Sequence, residues 1–334
     1  MTVMDTCSRK GSRPDEGSED VVPRGSAVTG PGIRADIERH PVNVERVRHW
    51  ANRLPEVITV QLKAARSNLD ACHSLAMTAR DYAGYLSVVE PTSERICWGL
   101  RLAMEAQTCV FKGALAGLAQ HPRIEIELDG QSAVVDSTVD GGFVNVPDWT
   151  NAFFLASVCR ERLVLDTLCQ VPLEFLRRSS TGTPEYWSLL AEALQAFWTP
   201  DDGSFYRKTH AAAIATTPDD PNVSDHALYV GGPHTDLLWS LMKALPGSPD
   251  GQAGVQRFNK SLTLALGYHK EFWSREEDDR CRNPDGYLAL GILGMASIAH
   301  DSEVPVEAES EYMPRVLLEG ACRRSPWTSA KSIA

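Results

Sequence analysis

The side chains best suited to chemistry lie in a short run near the C-terminal end, His269-Lys-Glu-Phe-Trp273. Histidine and glutamate, here His269 and Glu271, are side chains that serve in acid–base catalysis. Residues two apart on a helix point in different directions, so this pair does not form a site unaided. His269 also shares a helical stripe with Leu262 and Trp273. We therefore expect a buried, hydrogen-bonded histidine rather than a catalytic one.

Three glutamates, Glu307, Glu309 and Glu311, alternate along a stretch that we predict to be extended. Alternation places their carboxylates on one face of the segment. Such a row can bind a cation or meet a basic surface of another protein, although a solvated edge is the commoner arrangement. Upstream, Asp285 is predicted to cap a helix rather than to act as a catalytic acid. Tyr287 is predicted to pack in the core or at its rim, from where aromatic rings also anchor interfaces.

Recognised catalytic motifs are absent from the sequence. It contains no His-Glu-x-x-His, no Walker loop, no Gly-x-Gly-x-x-Gly, no Gly-x-Ser-x-Gly and no calcium loop. We therefore predict no catalytic residue, no cofactor and no metal site. The candidates that remain for a partner surface or a pocket are His269, Glu271, Trp273, Asp285, Tyr287, Glu307, Glu309 and Glu311.

Two helices are predicted to position these residues, one ending near Trp273 and the next running from about Gly286 to His300. The first has apolar residues at steps of three and four. The second is apolar nearly all round, which predicts that it lies inside the protein. Gly291 and Gly294 lower its helix propensity, so we expect another element to approach closely there.

The whole chain is predicted to be mainly α, either a single-domain antiparallel helical bundle or a set of stacked helix pairs. Pro55 is expected to start a new helix within the first helical region. Alternating apolar and charged residues around Asp129-Gly130 predict one small inserted β-hairpin at about 123–136. Residues 216–234, rich in Pro and Asp, are predicted to form a loop.

Three segments differ in composition. Residues 1–35 are rich in Gly, Ser, Pro, Asp and Arg, which predicts a disordered tail. Residues 36–320 are predicted to form the helical domain, and residues 321–334 a frayed C-terminus.

The first residues lack the apolar core of a secretory signal, and no apolar stretch is long enough to span a membrane. We therefore expect a cytoplasmic protein that does not bind membranes.

Charge and cysteine content limit the functional classes further. A net charge of −11 argues against direct nucleic-acid binding and suits a basic partner. The same charge can also serve only to keep the protein soluble. The eight cysteines are scattered, with no Cys-x-x-Cys pair. This pattern is typical of a reduced protein with small buried thiols rather than of a disulfide framework or a zinc site.

Several ordered stretches resemble the immunity 49 family, which occurs in actinobacteria and other bacteria. They are Leu168-Cys-Gln-Val-Pro-Leu173, His269-Lys-Glu-Phe-Trp273, Pro284-Asp-Gly-Tyr-Leu-Ala-Leu-Gly291 and Val306-Glu-Ala-Glu-Ser-Glu-Tyr-Met-Pro314. The Arg39-His-Pro-Val42 start and the helix from Trp149 to Arg160 are also similar, and the resemblance covers about 37–320. The resemblance implies an all-α immunity protein of a polymorphic toxin system. Its partner would then be a cognate toxin, and the acidic charge would suit a basic toxin domain such as a nuclease.

Two other interpretations remain open. One is an enzyme of specialised metabolism on the same helical fold, with His269 and nearby carboxylates as acid and base. Convergence of His269, Tyr287 and Glu309 on one cleft would favour it. The other is a helical scaffold that binds a peptide in a concave groove, which a continuous groove would favour.

Overall fold

The computed structural model describes residues 36–138, 143–180, 182–199, 203–217, 223–276 and 278–323. The predicted mainly α fold is confirmed, since these residues are largely helical and their β-structure is two sheets of two strands each. No helix within these ranges has the length and apolar content needed to cross a bilayer. The predicted tail at 1–35 lies outside the described residues.

Three long helices, α1 (Val44–Ala65), α2 (Leu69–Val89) and α3 (Glu94–Leu118), pack in sequence order. Each begins where a capping side chain, Asn43, Asn68 or Ser93, accepts a hydrogen bond from a backbone N–H of the first turn. The short turns between them make neighbouring helices antiparallel.

The prediction that Pro55 starts a new helix is wrong, because α1 continues through it. Proline inside a helix removes one backbone hydrogen bond. Here Ala51, Leu54, Ile58 and Leu62 form one buried stripe on both sides of Pro55. Packing of that stripe stabilises the continuous helix more than the lost bond weakens it.

The predicted hairpin is confirmed. Strands β2 (Arg123–Leu128) and β3 (Gln131–Asp136) pair antiparallel, with Leu128 opposite Gln131. Asp129 and Gly130 both have positive φ, 50° and 70°, as a two-residue hairpin turn requires. The indole N–H of Trp98 donates to the Asp129 carboxylate over 3.0 Å, which ties the turn to α3.

Helix α4 (Val146–Cys159) lies inside the protein and contacts α3. Twelve of its fourteen residues are buried, so it has no face left for solvent. Four shorter helices follow: α5 (Arg162–Leu168), α6 (Leu173–Ser179), α7 (Glu185–Trp198) and α8 (Phe205–Ile214).

The predicted loop at 216–234 is wrong in its second half, although residues 218–222 lie outside the described ranges. A π-helical turn at Ala227–Gly231 runs directly into α9 (Gly232–Ala244). Pro233, the second residue of α9, lies just after this junction, where proline cannot donate the backbone N–H that a continuous helix would use.

Helix α10 (Gly251–Trp273) is followed by 3₁₀ turns at Arg280–Arg282 and Pro284–Gly286 and then by α11 (Leu290–Asp301). The helix predicted from Gly286 therefore begins four residues later. The reason is that nearby backbone groups bond elsewhere: the Tyr287 carbonyl accepts from Arg39, and the Ala289 N–H donates to the Tyr312 carbonyl over 3.0 Å.

The close approach predicted at Gly291 and Gly294 is confirmed. A Cβ on Gly291 would lie 2.5 Å from the ring of His234 in α9, and one on Gly294 would lie 3.1 Å from the ring of Phe154 in α4. Most of α11 is buried, as its apolar sequence predicts.

The two ends of the described chain meet in a small parallel sheet. Strand β1 (Asp36–Ile37) pairs with β4 (Glu309–Ser310), and α12 (Arg315–Leu318) follows. Beyond α12, where fraying is predicted from 321, Cys322 is buried and Arg323 pairs with Asp301 over 2.9 Å. Residues 324–334 lie outside the described part. The seven cysteines within it are free thiols, five of them buried.

Two glycines of α10 predict opposite effects of one substitution. A Cβ on Gly254 would lie 2.0 Å from the backbone carbonyl oxygen of Lys243 in α9, whereas one on Gly267 would meet nothing within 4 Å. We expect Gly254→Ala to lower the free energy of unfolding by about 2 kcal/mol through overpacking. Gly267→Ala is expected to raise it by about 0.5–1 kcal/mol, because alanine is the better helix former. Urea titration measures both, and changes of the same sign would contradict the packing of α9 on α10.

Candidate functional site

Arg39 joins three separated parts of the chain. Its guanidinium donates to the backbone carbonyls of Ser87 (3.3 Å), Tyr287 (3.0 Å) and Glu311 (2.5 Å), and to the Ser87 hydroxyl (3.2 Å). Its backbone N–H donates to the Glu311 carboxylate over 2.7 Å. Arg39 therefore holds the N-terminal segment against α2, the residues before α11 and the segment after β4.

His40 continues this contact in the interior. Its backbone N–H donates to the Tyr312 hydroxyl over 2.8 Å, and that hydroxyl lies 2.8 Å from Nδ1. Since Nε2 lies 3.3 Å from the Cys281 carbonyl, the consistent tautomer carries its proton on Nε2 and accepts from Tyr312 at Nδ1. Burial lowers the pKa of His40, which keeps the ring neutral. Both rings therefore have structural partners.

His269 is buried and hydrogen-bonded, as its stripe predicts. Only 6% of the residue is exposed, and Nε2 lies 3.1 Å from the Gly286 carbonyl, to which it donates. The edge of its ring meets Tyr312, with centroids 4.8 Å apart. Burial lowers the pKa of His269 to about 3. A neutral ring shielded from solvent is poorly placed for proton exchange with a substrate.

Asp285 does not cap a helix, which corrects the prediction. Asn283 caps the 3₁₀ turn by accepting from the Asp285 N–H over 3.0 Å, and α11 begins later without a side-chain cap. The Asp285 carboxylate instead pairs with Arg80 of α2 over 2.8 Å. Because the helix starts after the turn, Asp285 is left free to link the turn to α2.

The other aromatic and acidic candidates near α10 have separate surroundings. Trp273 is half-buried and covers Gly286, where a Cβ would lie 2.7 Å from the indole. Tyr287 is buried, with its hydroxyl 3.4 Å from the Cys281 carbonyl. Glu271 is exposed on α10. Trp273 and Tyr287 thus pack in the region that contains His269, whereas Glu271 faces solvent.

A groove of about 490 Å³ lies beside the β1–β4 pair. We call it the acidic groove. Its apolar side chains are Val304, Pro305, Val306, Ala308, Met313 and Leu318. Its carboxylates are Asp36, Glu303, Glu309, Glu311 and Glu319.

Two of the three predicted glutamates line this groove. Glu309 and Glu311 do so, whereas Glu307 is exposed but does not line it. Arg315 also lines the groove and pairs with Glu319 over 2.7 Å and with Glu309 over 3.5 Å. The groove remains acidic, because five carboxylates face one guanidinium.

The three residues that would favour an enzyme do not share a cleft. Glu309 lines the acidic groove, and Tyr287 lines a second cavity of about 300 Å³ together with Arg46 and Arg282. His269 lines neither. Among the residues that the structure describes, no group of three His, Cys, Asp or Glu side chains is placed to hold a metal ion.

The apolar part of the groove was missed from the sequence. Its signal is the alternation of Val304 and Val306 with outward residues, since Pro305 and Glu307 are exposed. That alternation predicts a half-buried extended segment. The contribution of Asp36 has no local signal, because it reaches the groove only through the pairing of β1 with β4.

Comparison with known proteins identifies the family. Neither the curated proteins nor the solved structures give a match. The family described as immunity protein 49 matches residues 90–317, more than half of the 334-residue chain. This confirms the resemblance over that range, and the chain therefore belongs to the immunity protein 49 family.

Proposed function

We propose that this protein binds a cognate toxin of a bacterial polymorphic toxin system and neutralises it by non-covalent masking, without catalysis. The family match across residues 90–317 carries the proposal. The surroundings of His269 support it, because a buried neutral histidine that donates to the Gly286 carbonyl is suited to structure rather than to turnover. Masking requires a stable scaffold with one complementary surface.

The proposed partner is a basic toxin domain, such as a nuclease. A net charge of −11 favours encounter with a cationic protein and disfavours direct contact with nucleic acid. We place the complex in the cytoplasm, where a toxin that attacks the cell's own contents would have to be blocked.

Co-expression tests this function. We expect a gene beside this one to encode a polymorphic toxin with a C-terminal toxin domain. That domain is the probe, and alone it should arrest growth. We expect this chain to restore growth and to bind the purified domain with a Kd of about 1 nM or tighter, as tight protein inhibitors do. Failure of both rescue and binding would overturn the proposal.

A histidine variant separates masking from catalysis. His269→Gln keeps a side-chain N–H donor for the Gly286 carbonyl but cannot act as a base. We expect it to rescue growth as well as the wild-type chain. A folded His269→Gln protein that binds the toxin but does not rescue would favour the enzyme interpretation.

A further inference from the structure

The acidic groove combines an apolar surface with an acidic one, and each surface is complementary to a different kind of partner side chain. The half-buried Val306 contributes accessible apolar area above the buried Met313, while Glu303 and Glu309 are exposed acidic residues beside it. Its volume of about 490 Å³ falls within the range of protein binding pockets. An occupant that satisfies both surfaces needs an apolar side chain and positive charge.

The negative charge of the groove is only partly neutralised from within. Arg315 serves both Glu309 and Glu319. Within the described ranges, neither Asp36 nor Glu303 forms an ion pair. A cation brought by a partner would therefore find carboxylates available, and complementary charge speeds encounter and selects the partner.

The groove is held in shape by contacts outside it. Ile37 pairs with Ser310 in the β1–β4 sheet, and the Ser310 hydroxyl donates to the Ile37 carbonyl over 2.7 Å. Arg39 then fixes the backbone of Glu311. A surface that is already ordered loses less conformational entropy when a partner binds.

We propose that the acidic groove is the docking surface for the toxin, and that it takes a toxin segment in which Lys or Arg flanks an apolar side chain. This inference rests on the proposed function and names the contact surface for it. The apolar side chain packs on Val306, which lies above the buried Met313, and the flanking cations meet Glu303 and Glu309. Charge complementarity and the apolar surface of the groove together favour this occupant over an acidic or a wholly polar one.

Two charge-matched double variants test the surface by titration against the toxin domain encoded beside this gene. Glu303→Lys with Glu309→Lys reverses two negative charges of the groove. Glu56→Lys with Glu125→Lys makes the same change in net charge at exposed positions on α1 and β2. We expect the groove variant to raise Kd at least about tenfold, because like charges then oppose the toxin's cations. The control variant should change Kd less than about threefold, since isolated surface charges contribute little.

A third variant tests the apolar surface of the groove at Val306 without altering the charge. Val306→Thr keeps the shape of the side chain and replaces one methyl with a hydroxyl. We expect it to raise Kd about tenfold, because the occupant's apolar group would then bury an unpaired hydroxyl. Thermal unfolding confirms that each variant is folded. Raising NaCl from about 50 to about 300 mM should weaken the wild-type complex more than the groove variant.

The outcomes separate the two proposals. No binding by the wild-type chain would overturn the proposed function. Tight wild-type binding with unchanged Kd in both groove variants would overturn the docking surface alone. Equal losses in the groove and control charge variants would also overturn it, because the effect would then reflect net charge rather than this groove.

Discussion

Replacing Arg39 with alanine is expected to lower the free energy of unfolding by about 3 kcal/mol, because it removes a largely buried charge-assisted hydrogen-bond donor. The substitution leaves the carbonyls of Tyr287 and Glu311 without the donor they now share. It also releases Ser87 of α2 from the N-terminal segment. Urea titration followed by circular dichroism measures the loss.

Two control variants isolate the fork-shaped geometry of this arginine. Arg39→Lys keeps the charge, but one ammonium cannot serve all of these acceptors, so an intermediate loss is expected. Arg48→Ala removes an exposed arginine that pairs with Glu45 on α1, and should change stability by no more than about 0.5 kcal/mol. A loss below about 1 kcal/mol for Arg39→Ala would show that the contact does not stabilise the fold.

Arg39 also orders the segment that carries Asp36. Replacing Arg39 should therefore disturb the acidic groove as well. The pairing of Asp36 with Glu309 depends on the same N-terminal segment. Arg39→Ala is therefore expected to weaken toxin binding even at temperatures where the protein remains folded. This links residues that precede the matched family region, 90–317, to a groove built largely within it.

Acidification is expected to destabilise the protein steeply between about pH 6.5 and pH 4. Burial lowers the pKa of His269 and of His234 to about 3, and that of His226 to about 4. An unfolded histidine has a pKa near 6.5, so below that pH the unfolded chain binds protons that the folded chain excludes. Each such histidine costs about 1.4 kcal/mol per pH unit until its folded pKa is reached.

Buried carboxyls oppose this loss. Burial raises the pKa of Asp81 to about 7, so the folded state binds that proton first and gains stability as the pH falls to about 4. Burial also raises the pKa values of Asp148 and Asp236, while His40 adds to the loss. The net loss is therefore expected to be about 1.4–2.7 kcal/mol per pH unit.

A histidine variant measures one contribution directly. His269→Gln should reduce the slope of stability against pH by about 1.4 kcal/mol per unit between pH 6 and pH 4, since it removes one titrating ring. His210→Gln, at an exposed position of α8, controls for the loss of a histidine as such. An identical slope in wild-type and His269→Gln proteins would contradict the burial of a neutral ring at this position.

Local patterns predicted much of the architecture. Asp129-Gly130 and its alternating flanks predicted the hairpin and its position, because turn chemistry is encoded by adjacent residues. The all-round apolar sequence near Leu293 predicted a buried helix, and Gly291 predicted a close neighbour. The neighbour itself, His234 of α9, could not be read from the sequence.

By itself the sequence determined the helical periodicity, the hairpin and the burial of His269, since patterns of neighbouring residues encode each of them. It also determined the family, through an ordered set of motifs. Only the tertiary structure decided that α1 continues through Pro55, that Asp285 pairs with Arg80, and that Asp36 joins Glu303 and Glu309 around one groove. The physical reason is that these outcomes depend on contacts between residues far apart in the chain. Packing selects such contacts among many local possibilities, and no short stretch of sequence specifies them.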